Sequence, residues 1–375
     1  MTHREDLQPA TADEDHSAQS WSADGHLLPI MVEAAQEAMT RGFSEAEAVE
    51  MATQAIVEVI PKFVGPVTAS LHHGKAGLLR WLADGRGKLR AEVEASWGPA
   101  LATYEACTYL AYELGSKVHQ SYQKQTGEPD DITSEVAFLL HGRTCLVAGE
   151  VLCLMRDGFG DGAAGRKRTL HELVVVMSVI MTHADKDLAQ RYVDYAVVEQ
   201  HADMKHYQEH AEALGQRPFD QAAIDELEAE YQTVLQKYGP LFHRPNQWAA
   251  PLFPGRDKSI QFTMLEEAAE LKHHRPLYRE SNHYVHAGPR AAVLNTYVQR
   301  GGWTIGVGAR AERDLAEVGH GALVSLLQCT ASLIAHVPVA TENPDNLLGL
   351  MCLQQLVEDA GLAFWRGSGR MPSSL

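Results

Sequence analysis

The sequence predicts an all-α protein, a multi-helix, bundle-like body around a buried central helical hairpin at about residues 132–183. Two observations support this fold class. Apolar residues recur every three or four positions along most of the chain, as they do on one face of a helix. Two stretches, 136–155 and 169–181, are apolar on every side and are joined by the Gly-rich link 157–165. Helices that are apolar all round belong in a protein interior, so we expect these two to pack as an antiparallel pair.

The same spacing predicts the other helices in chain order. Predicted helices cover residues 29–40, 44–60, 66–83, 99–124, 132–156, 163–183, 185–214, 220–238, 259–271, 276–287, 311–337 and 344–364. Glycine and proline interrupt helices, which predicts breaks at a few positions. These are Gly42, Pro61, Gly65–Pro66 and Gly98–Pro99.

Two segments depart from the helical pattern. Residues 301–310 are the one plausible short strand or loop. Residues 238–259 contain four prolines and Trp248, and we interpret them as a long surface connection or a lid.

The chain is long enough for one large or two ordinary domains, since it has 375 residues and 45% hydrophobic content. Residues 1–26 are acidic and polar and are expected to form a disordered tail. We then distinguish an N-terminal helical region (27–130), a helical core domain (131–290) and a C-terminal helical region (291–375).

Composition also limits location and partners. No uninterrupted run reaches the roughly 18 apolar residues that span a bilayer, and the N-terminus has no apolar signal-peptide core, so we expect a cytoplasmic protein without a membrane partner. The five cysteines are isolated and form no CxxC pair, which suits a reducing compartment and argues against structural zinc. The net charge of −17 opposes binding to bulk DNA or RNA, although a local basic patch stays compatible with it.

The two central stretches carry charges that need partners. These are Arg143, Glu150, Arg168, His171 and Glu172. An unpaired buried charge costs several kcal/mol, so each group should be paired or face a cavity. Arg143 and Glu150 are seven residues apart and Arg168 and Glu172 four apart, so each pair shares a helical face. We expect Glu172 to pair with Arg168 or Arg143, either in an ion-pair network that fixes helix docking or at a site.

Three segments together resemble a known bacterial family. Residues 141–180, 188–195 and 277–288 are similar in order and spacing to the family catalogued as domain of unknown function 5677, over about 137–290. The matching positions are Arg143, Arg168 to Glu172 in an R-x-L-x-E pattern, Arg191-Tyr192, Tyr278, Ser281 and His286. The resemblance implies a helical fold and marks these positions as a set, but it implies no reaction.

A second, shorter resemblance suggests a chemistry. Arg279-x6-His286 is similar to the Arg-x4-6-His signature of the helical ribonucleases known as HEPN domains. On one helix a spacing of seven places both side chains on the same face. The resemblance implies that His286 acts as general acid or base at the 2′-hydroxyl and that Arg279 stabilises charge on the phosphate, with Tyr278 or Ser281 orienting the substrate. Glu280 departs from the family pattern and would repel phosphate.

Two further patterns carry less weight. Residues 160–165 match G-x-G-x-x-G but follow a helix instead of a strand, so we interpret them as a helix–helix turn. Asp203, His206 and His210 fall on one helical face, where a metal site can be drawn, but a solvated face is the favoured interpretation.

The sequence leaves two functions open. The first is a metal-independent ribonuclease in a defence or toxin-like setting, with Arg279 and His286 as catalytic residues. The second is a non-catalytic helical module that binds a small ligand or a partner protein. In both, the expected substrate- or ligand-binding residues are Arg143, Arg168, Glu172, Tyr278 and Ser281. We expect no metal or other cofactor. We expect the protein to bind RNA or a small ligand and not to bind DNA. The sequence is also compatible with a homo-oligomer.

Overall fold

The protein is helical, as predicted. The computed structural model describes residues 27–126, 131–290, 296–299, 302–305 and 315–369, so the predicted tail, residues 1–26, lies outside the described residues. In chain order the helices are α1 (Leu28–Thr40), α2 (Glu45–Thr126), α3 (Ile132–Arg156), α4 (Gly160–Thr182), α5 (Leu188–His210), α6 (Gln221–Tyr238), α7 (Phe262–Ala268), α8 (Arg275–Ser281), α9 (Ala316–His336), α10 (Pro338–Thr341) and α11 (Pro344–Gly367). Short 3₁₀ helices connect several of them.

A two-stranded hairpin is the sheet structure of the described residues. Strand β1 (Thr296–Gln299) pairs antiparallel with β2 (Gly302–Ile305), and Thr296 lies opposite Ile305. The predicted strand or loop at 301–310 therefore contains β2, whereas β1 has no counterpart in the prediction. Residues 306–310 lie outside the described part of the chain.

The longest helix, α2, is continuous where the sequence predicts interruptions. Pro61, Gly65–Pro66 and Gly98–Pro99 all lie inside it, so these three predicted breaks are wrong. A proline within a helix removes one backbone hydrogen bond and bends the helix without having to end it. Gly42 lies between α1 and α2 with a φ of 96°, a left-handed conformation that favours glycine. The break predicted there is confirmed.

The chain divides into two compact units, Met1–Leu89 and Arg90–Leu375. Among the described residues of the first unit, those that are buried are Ala38 on α1 and Ala48 and Ala52 at the start of α2. The second unit contains a large apolar core and all of the remaining elements.

The predicted central hairpin is formed by α3 and α4 in the second unit. The two helices pack along each other, α9 packs against both, and α11 packs on α9. Arg166 and Glu150 lie equally far from the turn and are joined by a salt bridge of 2.5 Å, as expected of an antiparallel pair. Glu150 therefore pairs with Arg166 and not with Arg143. Leu139 and Leu146 are exposed, so α3 is not covered on every side.

The proline-rich segment 238–259 is packed onto the body through Phe242 and Trp248, which corrects its interpretation as a surface connection or lid. Phe242 and Trp248 are buried in a second apolar cluster with α4, α5 and α6. Arg191 on α5 donates hydrogen bonds to the backbone oxygens of Trp248 (2.9 Å) and Gln247 (3.0 Å). The Arg191-Tyr192 pair thus anchors this segment, with the Tyr192 ring edge-on to Trp248.

Three helices are long and apolar enough to cross a membrane, by length and composition alone: α3, α9 and α11. Each of them contains a few polar residues, so none is one uninterrupted apolar run. Much of α3 and α9 is buried inside the protein, and α11 is the least buried of the three. A cytoplasmic location stays a prediction.

Candidate functional site

The second unit contains a cavity of about 270 Å³ between α4, α8, α9 and the C-terminal part of α11. Most of its wall is apolar, with several ionisable side chains. The lining residues are Lys167, Arg168, His171, His274, Leu277, Tyr278, Ser281, Glu317, His320, Gly321, Val324, Ser325 and Trp365. This volume is near the lower end of the range for small-molecule sites.

Helix α4 presents Lys167 and His171 four residues apart, hence on one face towards the cavity. Lys167 is buried, and its Nζ donates to Oε1 of Glu317 on α9 at 3.0 Å. A Cβ at Gly321 would lie 3.2 Å from Cδ of Lys167, so glycine gives the lysine stem room. Lys167 could not be identified from sequence spacing, because its partner lies 150 residues away.

Arg168, Glu172 and Tyr278 form a closed polar triangle. Arg168 Nη2 donates to Tyr278 Oη at 2.9 Å and lies 3.0 Å from Glu172 Oε1, while Tyr278 Oη donates to Glu172 Oε1 at 2.8 Å. The predicted pairing of Glu172 with Arg168 is confirmed. Burial and the hydrogen bond to Glu172 raise the pKa of Tyr278, so its hydroxyl remains a donor at neutral pH.

A second polar group lies behind His171. Glu266 on α7 is fully buried and accepts hydrogen bonds at 2.9 Å from His171 Nε2 and at 2.7 Å from Arg275 Nη1. Burial is the main cause that lowers the pKa of His171, so the ring is neutral at pH 7. With the proton assigned to Nε2, Nδ1 keeps a lone pair and has no hydrogen-bond partner among the described residues.

Two more imidazoles line the cavity in the neutral state. Burial lowers the pKa of His274, and the neighbouring His273, His171 and Lys167 lower it further. Burial also lowers the pKa of His320. Neutral imidazoles can donate and accept hydrogen bonds, so the cavity offers both to a ligand.

The proposed Arg279 and His286 pair does not share a helix. Helix α8 ends at Ser281 and a 3₁₀ turn, Asn282–Tyr284, follows, so the same-face geometry expected for these two residues is absent. Arg279 is exposed and does not line the cavity. Nε2 of His286 instead lies 3.4 Å from Nη1 of Arg168.

The remaining predicted residues divide between the cavity and the surface. Arg168, Tyr278 and Ser281 line the cavity, and Glu172 bonds Tyr278. Arg143 is exposed on α3 and is not part of this wall. Through the described residues, no three His, Cys, Asp or Glu side chains are placed to hold a metal ion.

Residues 134–301 match a family described as Family of unknown function (DUF5677). The match supports the resemblance to that family over this region. The DUF5677 region contains α4 and α8, which carry Lys167, Arg168, His171 and Tyr278, whereas α9 and α11 lie after it. No curated protein and no solved structure matches the chain. The similarity to HEPN ribonucleases is not confirmed by these comparisons and stays a prediction.

Proposed function

We propose that this protein binds a small molecule in the cavity, one with an apolar body and one acidic group. A mainly apolar wall with a few convergent polar groups is typical of small-molecule sites. A cavity of about 270 Å³ is too small to hold an RNA duplex. The acidic chain, with a net charge of −17, also disfavours a polyanion.

The observation that carries the proposal is Lys167. Its side chain is almost fully buried, while its partner Glu317 is half exposed, at 46%. Glu317 can therefore turn to solvent when a ligand carboxylate takes its place at Nζ, and no buried charge is left unpaired. Arg168 is less available, because its Nη2 is already engaged by Glu172 and Tyr278.

The test is a thermal-shift screen with small aromatic and aliphatic carboxylic acids, each beside its neutral amide. A ligand at a hundred times its Kd stabilises the folded state by about 2.7 kcal/mol, so a true ligand gives a clear rise in Tm. We expect the rise with an acid and the wild-type protein, and its loss in Lys167→Met.

The matched control is Lys258→Met, because Lys258 is exposed and is not one of the residues that line the cavity. It should respond to the acid as the wild type does. Acids that shift both lysine variants equally, or a complete absence of shifts with the wild type, would contradict the proposed site.

A ribonuclease is the second candidate, and the contact of Arg168 with His286 is what favours it. The two side chains approach to 3.4 Å, and His286 is exposed, as a residue that meets RNA must be. In this version Arg168 replaces Arg279 as the group that stabilises phosphate charge, and His286 remains the general acid or base.

A further inference from the structure

The first unit carries an apolar stripe along α2 that is separate from the cavity. Its residues repeat at intervals of eleven: Ile56, Val67, Leu78 and Leu89 form one series, and Ile60, Leu71 and Leu82 form another. Eleven residues are close to three turns of an α-helix, so each series drifts only slightly around the helix and both lie on one face. Residues 56–82 of this face extend about 39 Å along the helix axis.

No side chain of this face is fully buried. Among the described residues of Met1–Leu89, the buried side chains are confined to α1 and the start of α2, at Ala38, Ala48 and Ala52. On the face itself, Ile60 is 41% exposed and Leu82 36% exposed. A contiguous apolar face of this length on a soluble helix marks an interaction surface.

Charge is segregated along the same stretch. Residues 45–60 contain four glutamates and no lysine or arginine, whereas residues 61–89 contain five lysines and arginines and one aspartate. Two copies aligned in parallel would place like charges together at both ends. An antiparallel pair places the acidic part of each helix beside the basic part of the other.

We propose that the α2 stripe pairs antiparallel with the same stripe of a second copy of this chain, around a two-fold axis at Val67. In this register Ile56 meets Leu78 of the second copy, and Val67 meets its own counterpart. An interface around a two-fold axis uses the same patch on both copies, as this stripe allows.

One ion pair across the proposed interface follows from the register. Glu50 and Arg86 are both exposed and lie 36 residues apart, so on the α-helical wheel they fall on the same edge of the stripe. In one chain they are about 54 Å apart along the helix and cannot meet. In the antiparallel pair Glu50 comes within one turn of Arg86 of the second copy.

The first experiment measures the mass of the full-length protein in solution by sedimentation equilibrium. We expect a dimer for the wild type. Val67→Glu brings two carboxylates together at the two-fold axis and should raise the dimer dissociation constant by a factor of about ten or more. Ala69→Glu adds the same charge two residues away on the opposite face, is exposed, and should leave the dimer unchanged. Circular dichroism checks that both variants stay helical.

The second experiment determines the orientation by charge exchange. Glu50→Arg and Arg86→Glu should each weaken the dimer, and the double variant should restore it, because the pair is re-formed with its signs reversed. In a parallel pair each residue faces its own counterpart, so the double variant would not recover. A monomeric wild type, a dimer indifferent to Val67→Glu, or no recovery in the double variant would each overturn the proposal.

Discussion

Replacing Glu266 with glutamine tests how the polar groups behind the cavity are held. Glutamine keeps the shape of the side chain and removes its charge, so packing changes little. Glu266 is 0% exposed and bonds both His171 and Arg275. Breaking a buried pair by removing one partner costs about 3–5 kcal/mol. Arg275 is itself 31% exposed and regains some water, which places the expected loss near the lower limit, at about 3 kcal/mol.

The neighbouring glutamate provides the control. Glu267 is 51% exposed and contacts Lys272 at the surface, so Glu267→Gln should cost at most about 1 kcal/mol. Both variants are compared with the wild type by urea unfolding, followed by circular dichroism at the helix band. Equal unfolding free energies for the two variants would refute the view that Glu266 is a buried, paired charge.

Three further predictions concern other parts of the second unit. Glu172→Ala should lower the unfolding free energy by about 1–2 kcal/mol, less than for a fully buried pair, because this side chain is 35% exposed. Glu280 is exposed, so Glu280→Ala should change the unfolding free energy little, and calorimetry of the two variants measures the difference. Burial lowers the pKa of His141 from 6.5 to about 4, so between these pH values the unfolded chain binds a proton more readily than the folded protein does. Stability should therefore fall as pH drops from about 6.5 to 4, and it should fall less in His141→Gln. Melting temperatures of both proteins measured over this pH range test the direction of the change. If the protein cleaves an RNA pool without added metal, His286→Ala should abolish the cleavage. Arg279→Ala should not, since Arg279 is exposed and outside the cavity lining. Cleavage that survives in the His286 variant would exclude the Arg168–His286 mechanism.

The helical fold was predictable because its signals are local. Helix α3 begins and ends at the predicted residues, and the side chain of Asp131 caps it by accepting a hydrogen bond from the backbone N–H of Thr133 at 3.1 Å. The same local rules failed in α2, where proline and glycine lie inside a continuous helix. The compact-unit boundary inside α2, after Leu89, was not predicted from the sequence.

From residue spacing, the contacts of the candidate site were predictable only where they lie within one helix. The spacing of Arg168 and Glu172 identifies their pair, since four residues make one turn. The partner of His171 is Glu266, 95 residues later, and sequence spacing carries no information on such a contact. Arg143 lies within an apolar stretch of the sequence, yet its side chain is on the exposed side of α3. The same-face geometry expected of Arg279 and His286 is absent because α8 ends at Ser281.

The cavity wall is formed partly by the DUF5677 region and partly by the helices that follow it, so the two parts of the wall can change independently. Lys167 and Tyr278 lie within residues 134–301, whereas Glu317 and Trp365 lie in the helices that follow. A chain cut after residue 301 would keep the polar anchors but lose the opposite wall and the helix that covers the α3–α4 hairpin. Exchange of the C-terminal helices alone would therefore alter the shape that a ligand must fit while leaving the groups that hold its charge in place.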